Sequence, residues 1–217
     1  MRGERGRVGR DCGGGVRVSA PYDAQTLRFY AAEAPTYLAG GQGGISRFLH
    51  AFLDRLAPGS RILELGCGGG RDSEAMLQRG FFVEPTDGVL EIAKKAEKRI
   101  GNPVRVMRFD ELDAVDDYDA VWANASLLHV PTAELPGILS RVYRALKPGG
   151  LHFANYKAGG TEGRDRFGRL FNYLSSEQLH SAYAASGSWE VLGNEEYEGG
   201  GYEGGTGPWV SITVRKP

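Results

Sequence analysis

The sequence predicts an α/β fold, a mostly parallel sheet covered on both faces by helices and ending in an antiparallel hairpin. Three observations lead there. Between positions 61 and 156, short apolar runs alternate with helical patterns, which is the signature of β-α-β units. The first run, Arg61-Ile-Leu-Glu-Leu65, opens directly into a glycine turn with Gly66, Gly68 and Gly70 at alternate positions. After Tyr156 the alternation stops, and one helical pattern is followed by two strand patterns with no helix between them.

The elements follow in order. Met1 to Ser19 is rich in Arg and Gly, lacks the apolar core of a signal peptide, and reads as a disordered tail. Residues 20–217 read as one domain, with 20–57 a helical cap and 58–217 the core. Pro21 to Leu56 holds two helical stretches broken by Gly40-Gly-Gln-Gly-Gly44. In the second, Ile45, Phe48, Leu49, Phe52, Leu53 and Leu56 recur at helical spacing and are expected to be buried. Arg61 to Leu65 is the first strand, and a helix runs from near Asp72 to Gly80. Phe81 to Thr86 is the second strand, with Pro85 expected just past its last paired residue, because proline cannot donate to a ladder. Val89 to Ile100 is a helix closed by Gly101, and Val104 to Phe109 is the third strand. Tyr118 to Asn124 is the fourth. The next helix carries Leu135, Ile138, Leu139, Val142 and Leu146 on one face, with Thr132 as its expected N-cap. Lys147-Pro-Gly-Gly150 reads as a turn before a fifth strand, Leu151 to Tyr156. Ser175 to Ser186 is a helix. Trp189 to Tyr197 and Trp209 to Arg215 form the terminal hairpin around a glycine-rich loop.

Bulk properties narrow the function. The chain has 217 residues, 41% hydrophobic and 24% charged, with a formal net charge of −1. No basic face is implied, so nucleic acid is not an expected partner. No apolar run approaches a membrane span, so no membrane role is expected. Of two cysteines, Cys67 lies inside the glycine turn, where a disulfide would distort it; a cytoplasmic, reducing location is expected.

In doubly wound sheets, ligands bind beyond the carboxyl ends of the strands. Glycines let a ligand approach main-chain amides, and the following helix start offers free N–H groups. A dinucleotide fingerprint requires a third glycine at position 71, which is Arg71. The pattern present is E-x-G-x-G-x-G over Glu64 to Gly70. It resembles the first motif of class I S-adenosylmethionine (SAM)-dependent methyltransferases, which have a Rossmann-like fold. The strand-end acids and Ala145-Leu-Lys-Pro-Gly-Gly-Leu151 resemble that family in the right order, over roughly Leu56 to Tyr156. The segment Lys157 to Tyr173 is similar to a bacterial subgroup related to tellurite-resistance methyltransferases.

The resemblance implies SAM as cofactor, S-adenosylhomocysteine (SAH) as product, and a small-molecule acceptor. It places the cofactor on Glu64, Gly66, Cys67, Gly68, Asp87, Gly88, Asp110, Glu111 and Asn124. Asp87, about 20 residues past the glycines, would take the ribose hydroxyls, and Asp110 or Glu111 the adenine amino group. His129, in Asn124-Ala-Ser-Leu-Leu-His-Val-Pro131, is the candidate catalytic base; a satisfied core histidine is the equal alternative. Tyr37, Lys157 and Arg164 are candidate substrate contacts, against a plain reading as packing and solvated charge. Tyr22 and Tyr30 share with Tyr37 the chance of closing the pocket. No metal is expected. Two departures stand out: Gly88-Val89-Leu90 replaces the usual Ser-Pro helix start, and no Asn/Asp-Pro-Pro-aromatic motif follows the fourth strand. The rival readings are a nicotinamide-dependent oxidoreductase, for which Arg71 and the lack of a hydride-relay pair are unfavourable, and a non-catalytic SAM-binding domain.

Overall fold

A computed structural model describes residues 20–39 (35–39 by backbone alone), 44–201 and 204–217. The expected N-terminal tail, and the Gly40 to Gly43 break, lie outside the described residues. Helix α1 (Ala24–Ala39) starts behind Asp23, whose carboxylate accepts from the Thr26 amide at 2.8 Å and the Thr26 hydroxyl at 2.7 Å. That bonding satisfies an orphan N–H of the first turn. Helix α2 (Leu49–Leu53) is one short segment. It buries Leu49, Phe52 and Leu53, but Ile45 lies outside it and stays exposed, because the helical pattern is not realised that far back.

The sheet contains β1 (Arg61–Leu65), β2 (Phe82–Asp87), β3 (Arg105–Val106), β4 (Tyr118–Ala123), β5 (Leu146–Lys157), β8 (Glu190–Gly200) and β9 (Thr206–Arg215). Their order is β3-β2-β1-β4-β5-β9-β8. The first five are mutually parallel, and β9 and β8 close the edge as an antiparallel hairpin, as the sequence predicts. A second sheet pairs β6 (Gly163–Arg164) with β7 (Leu170–Phe171). The sequence showed only a charged run there.

Helices cover both faces. Helix α3 (Arg71–Gln78) and α2 pack on one face through Met76, Phe52, Trp122 and Phe153. Helix α5 (Leu135–Ala145) and α6 (Ser176–Ala184) cover the other, where Leu63, Leu65, Leu139 and Leu179 meet. Helix α4 (Leu90–Ile100) carries Ala93, Ala96 and Ile92 inward and ends at Gly101 in the left-handed conformation. Along β1 the side chains alternate, so Glu64 shares the face of Ile62 beneath α3.

Four local expectations are corrected. Pro85 sits inside the paired register, opposite Glu64. Phe82 donates to Ser60 and Gly66 donates to the Thr86 carbonyl, so even-numbered residues of β2 face β1 and Pro85 faces the other side. There β3 pairs only from Thr86 onward, so no ladder bond is missing. The third strand is two residues long, and Phe109–Glu111 turns into a 3-10 helix. Thr132 is not the cap of α5; Glu134 stands at that position, and the Thr132 amide donates to Glu162 at 2.5 Å. Lys147 to Gly150 is a bulge within β5 between the pairs Tyr118–Leu146 and Ala120–Leu151, not a separate turn.

Candidate functional site

The sequence of strand orders reverses between β1 and β4, and the candidate site lies at their carboxyl ends. The glycine turn folds because Gly66, Gly68 and Gly70 hold φ of 75°, 53° and 74°, a region other residues enter at a cost. At Gly66 a Cβ would stand 2.6 Å from that of Ser126, and at Gly70 one would press on Ala96 and Ile100 of α4. The turn is therefore shaped by close approach on two sides.

Asp87 ends β2 and bonds back to this turn. Its Oδ2 accepts from the Gly68 amide at 3.1 Å and its Oδ1 from the Val89 amide at 2.9 Å. Burial raises the carboxyl to about 6, against the two amides, which favour the charged form. The helix that follows starts at Val89 without a side-chain cap bond.

A cleft with about 760 Å³ of empty space, partly open to solvent, spreads from this point. Its floor is Gly66, Gly68, Asp87 and Gly88, with Ala125, Ser126, His129 and Val130 from the segment after β4. Its roof is the start of α1, through Tyr22, Asp23, Thr26, Leu27 and Tyr30. Val89, Ile92, Met107, Arg108 and Phe109 close the far end. Ser126 Oγ is buried with no hydrogen-bond partner, and Ala125 beside it has φ of 52°. Ala125 is held by its amide, which donates to Asn155 Oδ1 at 2.5 Å.

The other sequence-selected residues fall around this cleft. Glu64 lies behind the turn, buried, bonded by the Ser73 hydroxyl, and near the buried Asp72. Burial raises both carboxyls, and the Asp72 charge raises Glu64 further. The Cys67 side chain packs toward Ala93, Ala96 and Val104 of the α4 side, and burial pushes its thiol up. Asn124 bonds Asp72 at 3.3 Å and Asn155 at 3.0 Å, joining β4, β5 and α3 beneath the cleft. Asp110 and Glu111 grip Arg108: its guanidinium donates to Asp110 at 3.0 and 3.2 Å, and its amide to Glu111 at 2.7 Å. The Tyr22 ring covers that guanidinium at 4.5 Å. Glu64, Cys67, Asn124, Asp110 and Glu111 do not line the cleft itself, whereas Arg108 does.

His129 is half-buried against Phe171 and lines the cleft. Its Nδ1 lies 2.6 Å from the Leu170 carbonyl and its Nε2 2.9 Å from the Tyr30 hydroxyl. A carbonyl only accepts, so Nδ1 carries the proton and Nε2 accepts from Tyr30. Burial lowers the imidazole to about 4 and keeps it neutral. Arg169 Nη1 in turn donates to the Tyr30 oxygen at 3.0 Å. Lys157 stands 4.2 Å from the centre of the Phe171 ring, at the end of β5. Arg164 is tied to Asp23 through two bonds of 2.9 and 2.8 Å, bracing α1 against β6. The side chain of Tyr37 lies outside the described residues. Sequence reasoning passed over Ser126 and Arg108. The first had no pattern to mark it, and the second was masked by the acids that follow it. Among the described residues no cluster of His, Cys, Asp or Glu could hold a metal.

Comparisons with known proteins bear on the domain and the fold. A family model for a methyltransferase domain matches residues 62–150. An uncharacterized methyltransferase of Synechocystis is 32% identical over 113 residues, covering 50% of this chain and 53% of that protein. The chain thus spans about half the length of the curated relatives it matches. Among solved structures, the 1,6-didemethyltoxoflavin-N1-methyltransferase of Burkholderia thailandensis, with 1,6-didemethyltoxoflavin and SAH bound, superposes with a TM-score of 0.74 at 19% identity, over 92% of this chain and 91% of that one. TehB from Haemophilus influenzae superposes with a TM-score of 0.67 at 16% identity, over 87% of this chain and 67% of that one. At these identities the structural likeness is one of fold. The matched segment, residues 62–150, is thus similar to a methyltransferase domain, and the fold is the one shared with these solved methyltransferase structures.

Proposed function

We propose that the protein transfers a methyl group from SAM to a nucleophilic atom of a small-molecule acceptor. The observation that carries this reading is the joint between the Gly66–Gly70 turn and Asp87 at the switch point, with an open cleft above it. The residues fit the cofactor on their own chemistry. Asp87 presents a buried carboxylate suited to paired hydroxyl donors, and Ser126 offers a buried hydroxyl with no protein partner. Gly66, Gly68 and Gly88 give close access to the main chain, and Met107 and Phe109 supply apolar walls.

When bound, SAM supplies a methyl group already activated on a sulfonium sulfur. The protein's part is then to hold the acceptor in line, exclude water and take up a proton where the acceptor carries one. Orientation alone can contribute roughly 7–11 kcal/mol in favourable systems. The roof formed by α1 supports both orientation and exclusion, and it favours an acceptor small enough to enter beneath it. The solved toxoflavin-type enzyme, whose bound ligand is a small heterocycle, supports the same class of acceptor. The free, buried Cys67 fits a reducing compartment such as the cytoplasm. Among the described residues no helix is long and apolar enough to cross a membrane.

The oxidoreductase reading is less well supported. Gly70 is the left-handed cap of α3 and Arg71 its first helical residue, so the third glycine of a dinucleotide turn has no counterpart. The test is conversion of SAM to SAH in the presence of a panel of hydroxyl, thiol and amine compounds. Acceptor-dependent SAH release supports the reading, and failure of the protein to bind SAM at all overturns it.

A further inference from the structure

We propose that Asn155 is a positioning residue of the cofactor cleft, whose side-chain oxygen holds Ala125 in the left-handed conformation that brings the Ala125–Ser126 turn onto the cleft floor. The role rests on the methyl-transfer reading above and adds to it a residue from behind the cleft. Asn155 lies on β5, is 4% exposed, and does not line the cleft itself. Its Oδ1 accepts from the Ala125 amide at 2.5 Å. A backbone N–H only donates, so the atom facing it is the oxygen. Its Nδ2 donates to Asn124 Oδ1 at 3.0 Å and to the Tyr197 oxygen at 2.9 Å, which keeps the side-chain amide that way round. Residues from the end of β4 and from the edge strand β8 thus orient the group that grips the turn.

The conformation that it grips is a strained one. Ala125 has φ of 52°. Among the described residues Asp116 and Tyr173 also have positive φ without being glycine, but of the three only Ala125 lines the cleft. Alanine has no polar side chain with which to stabilise a left-handed backbone locally, as Asn and Asp have. Its conformation is therefore imposed by what surrounds it. The turn has two consequences for the cleft. It seats Ser126 so close to the glycine turn that a Cβ at Gly66 would stand 2.6 Å from the Ser126 Cβ. It also brings to the cleft wall a hydroxyl that no protein group claims.

The size of the effect follows from the backbone. An L-residue enters the left-handed region at a cost that lowers its population roughly tenfold. Apparent affinity scales with the fraction of molecules already in the binding conformation. With the Asn155 bond, the floor is set before the ligand arrives. Without it, the ligand has to select a minor form.

The test is calorimetric titration with SAH of the full chain as wild type, Asn155→Ala, Ala125→Gly and the double variant, with thermal unfolding of each. Asn155→Ala is expected to bind SAH about tenfold more weakly. Glycine enters the left-handed region freely, so the double variant should regain the affinity of Ala125→Gly to within about twofold. Its unfolding midpoint should stay lowered, because the bonds to Asn124 and Tyr197 remain lost. A merely structural role for Asn155 would leave affinity and midpoint lowered together. A second readout needs no variant and decides the matter even if Asn155→Ala does not fold. Ala125 is exposed, yet its amide in ligand-free wild type should exchange about a hundredfold more slowly than in an unstructured chain. Unchanged affinity in Asn155→Ala, a loss that Ala125→Gly does not restore, or fast exchange of the Ala125 amide overturns the proposal. Failure of the wild type to bind SAH would instead sink the methyl-transfer reading.

Discussion

The amide of Gly68 donates to the carboxylate of Asp87 across 3.1 Å, joining the turn after β1 to the end of β2. The bond fixes the two elements that a nucleoside-bearing ligand must touch at once. It also pre-orients Asp87, whose burial would otherwise leave the carboxylate poorly solvated.

Asp87→Ala should therefore lower SAH affinity by roughly 10- to 100-fold, the usual worth of hydrogen bonds to a charged acceptor. Asp87→Asn should lose less, because it retains one acceptor oxygen. Calorimetric titration of both variants checks this; unchanged affinity in the alanine variant would place the ribose elsewhere.

The same residue predicts a pH dependence. Its carboxyl is raised to about 6, so it is charged above that pH and protonated below it. Ligand hydroxyls favour the charged form, so SAH affinity should fall as pH drops through about 6. In the unliganded protein the sign reverses. A raised carboxyl contributes stability below its unfolded value near 4, and that contribution is lost as pH rises to about 6. Asp87→Asn should flatten both dependences, measured by titration and by urea unfolding.

Gly66→Ala tests the tight turn. It meets φ of 75° and a Cβ contact of 2.6 Å with Ser126, so a loss of about 2–4 kcal/mol is expected. Gly101→Ala has φ of 69° but nothing within 4 Å, so only the backbone cost of about 1–2 kcal/mol applies. Equal losses in the two would remove the contact from the explanation.

His152 supplies an acid-sensitive element away from the cleft. It is fully buried in β5, donates from Nδ1 to the Val121 carbonyl at 3.0 Å, and has no partner for Nε2. Burial lowers it to about 4. A lowered imidazole contributes stability above its unfolded value near 6.5 that is lost as pH falls toward 4. The stability difference between wild type and His152→Phe should shrink over that window by up to about 3 kcal/mol. Parallel unfolding curves from pH 7 to pH 4 would contradict this.

Tethering of the roof gives a further expectation. Arg164 and Asp23 form a paired contact, and the bond holds the Asp23 carboxyl down to about 2. With Arg164 partly exposed, Asp23→Asn should cost no more than about 1 kcal/mol. Its clearer effect should be faster hydrogen exchange in α1, increased by salt in the wild type and unchanged by salt in the variant.

Much of the fold was legible because its signals were local. The apolar run Arg61 to Leu65, the glycines after it and the Gly101 end of α4 each depend on nearby residues, and each appears where the sequence places it. The short β3 was not legible, since Val104 to Phe109 looks like a full strand until Arg108 is drawn to Asp110 and Tyr22. Pro85 misled for a related reason: whether its missing donor matters depends on how long β3 is. At the site, strand-end position singled out Asp87 and His129. The partners that give His129 its protonation, the Tyr30 hydroxyl and the Leu170 carbonyl, lie 99 residues before and 41 after it, and no spacing rule links them.

The central claim is tested most directly by calorimetric titration of the wild-type chain with SAM, SAH and NAD, beside Asp87→Ala. The account predicts micromolar binding of SAM and SAH, no binding of NAD, and a marked loss in the variant. Binding of NAD without SAM or SAH would contradict it and return the cleft to a nicotinamide cofactor.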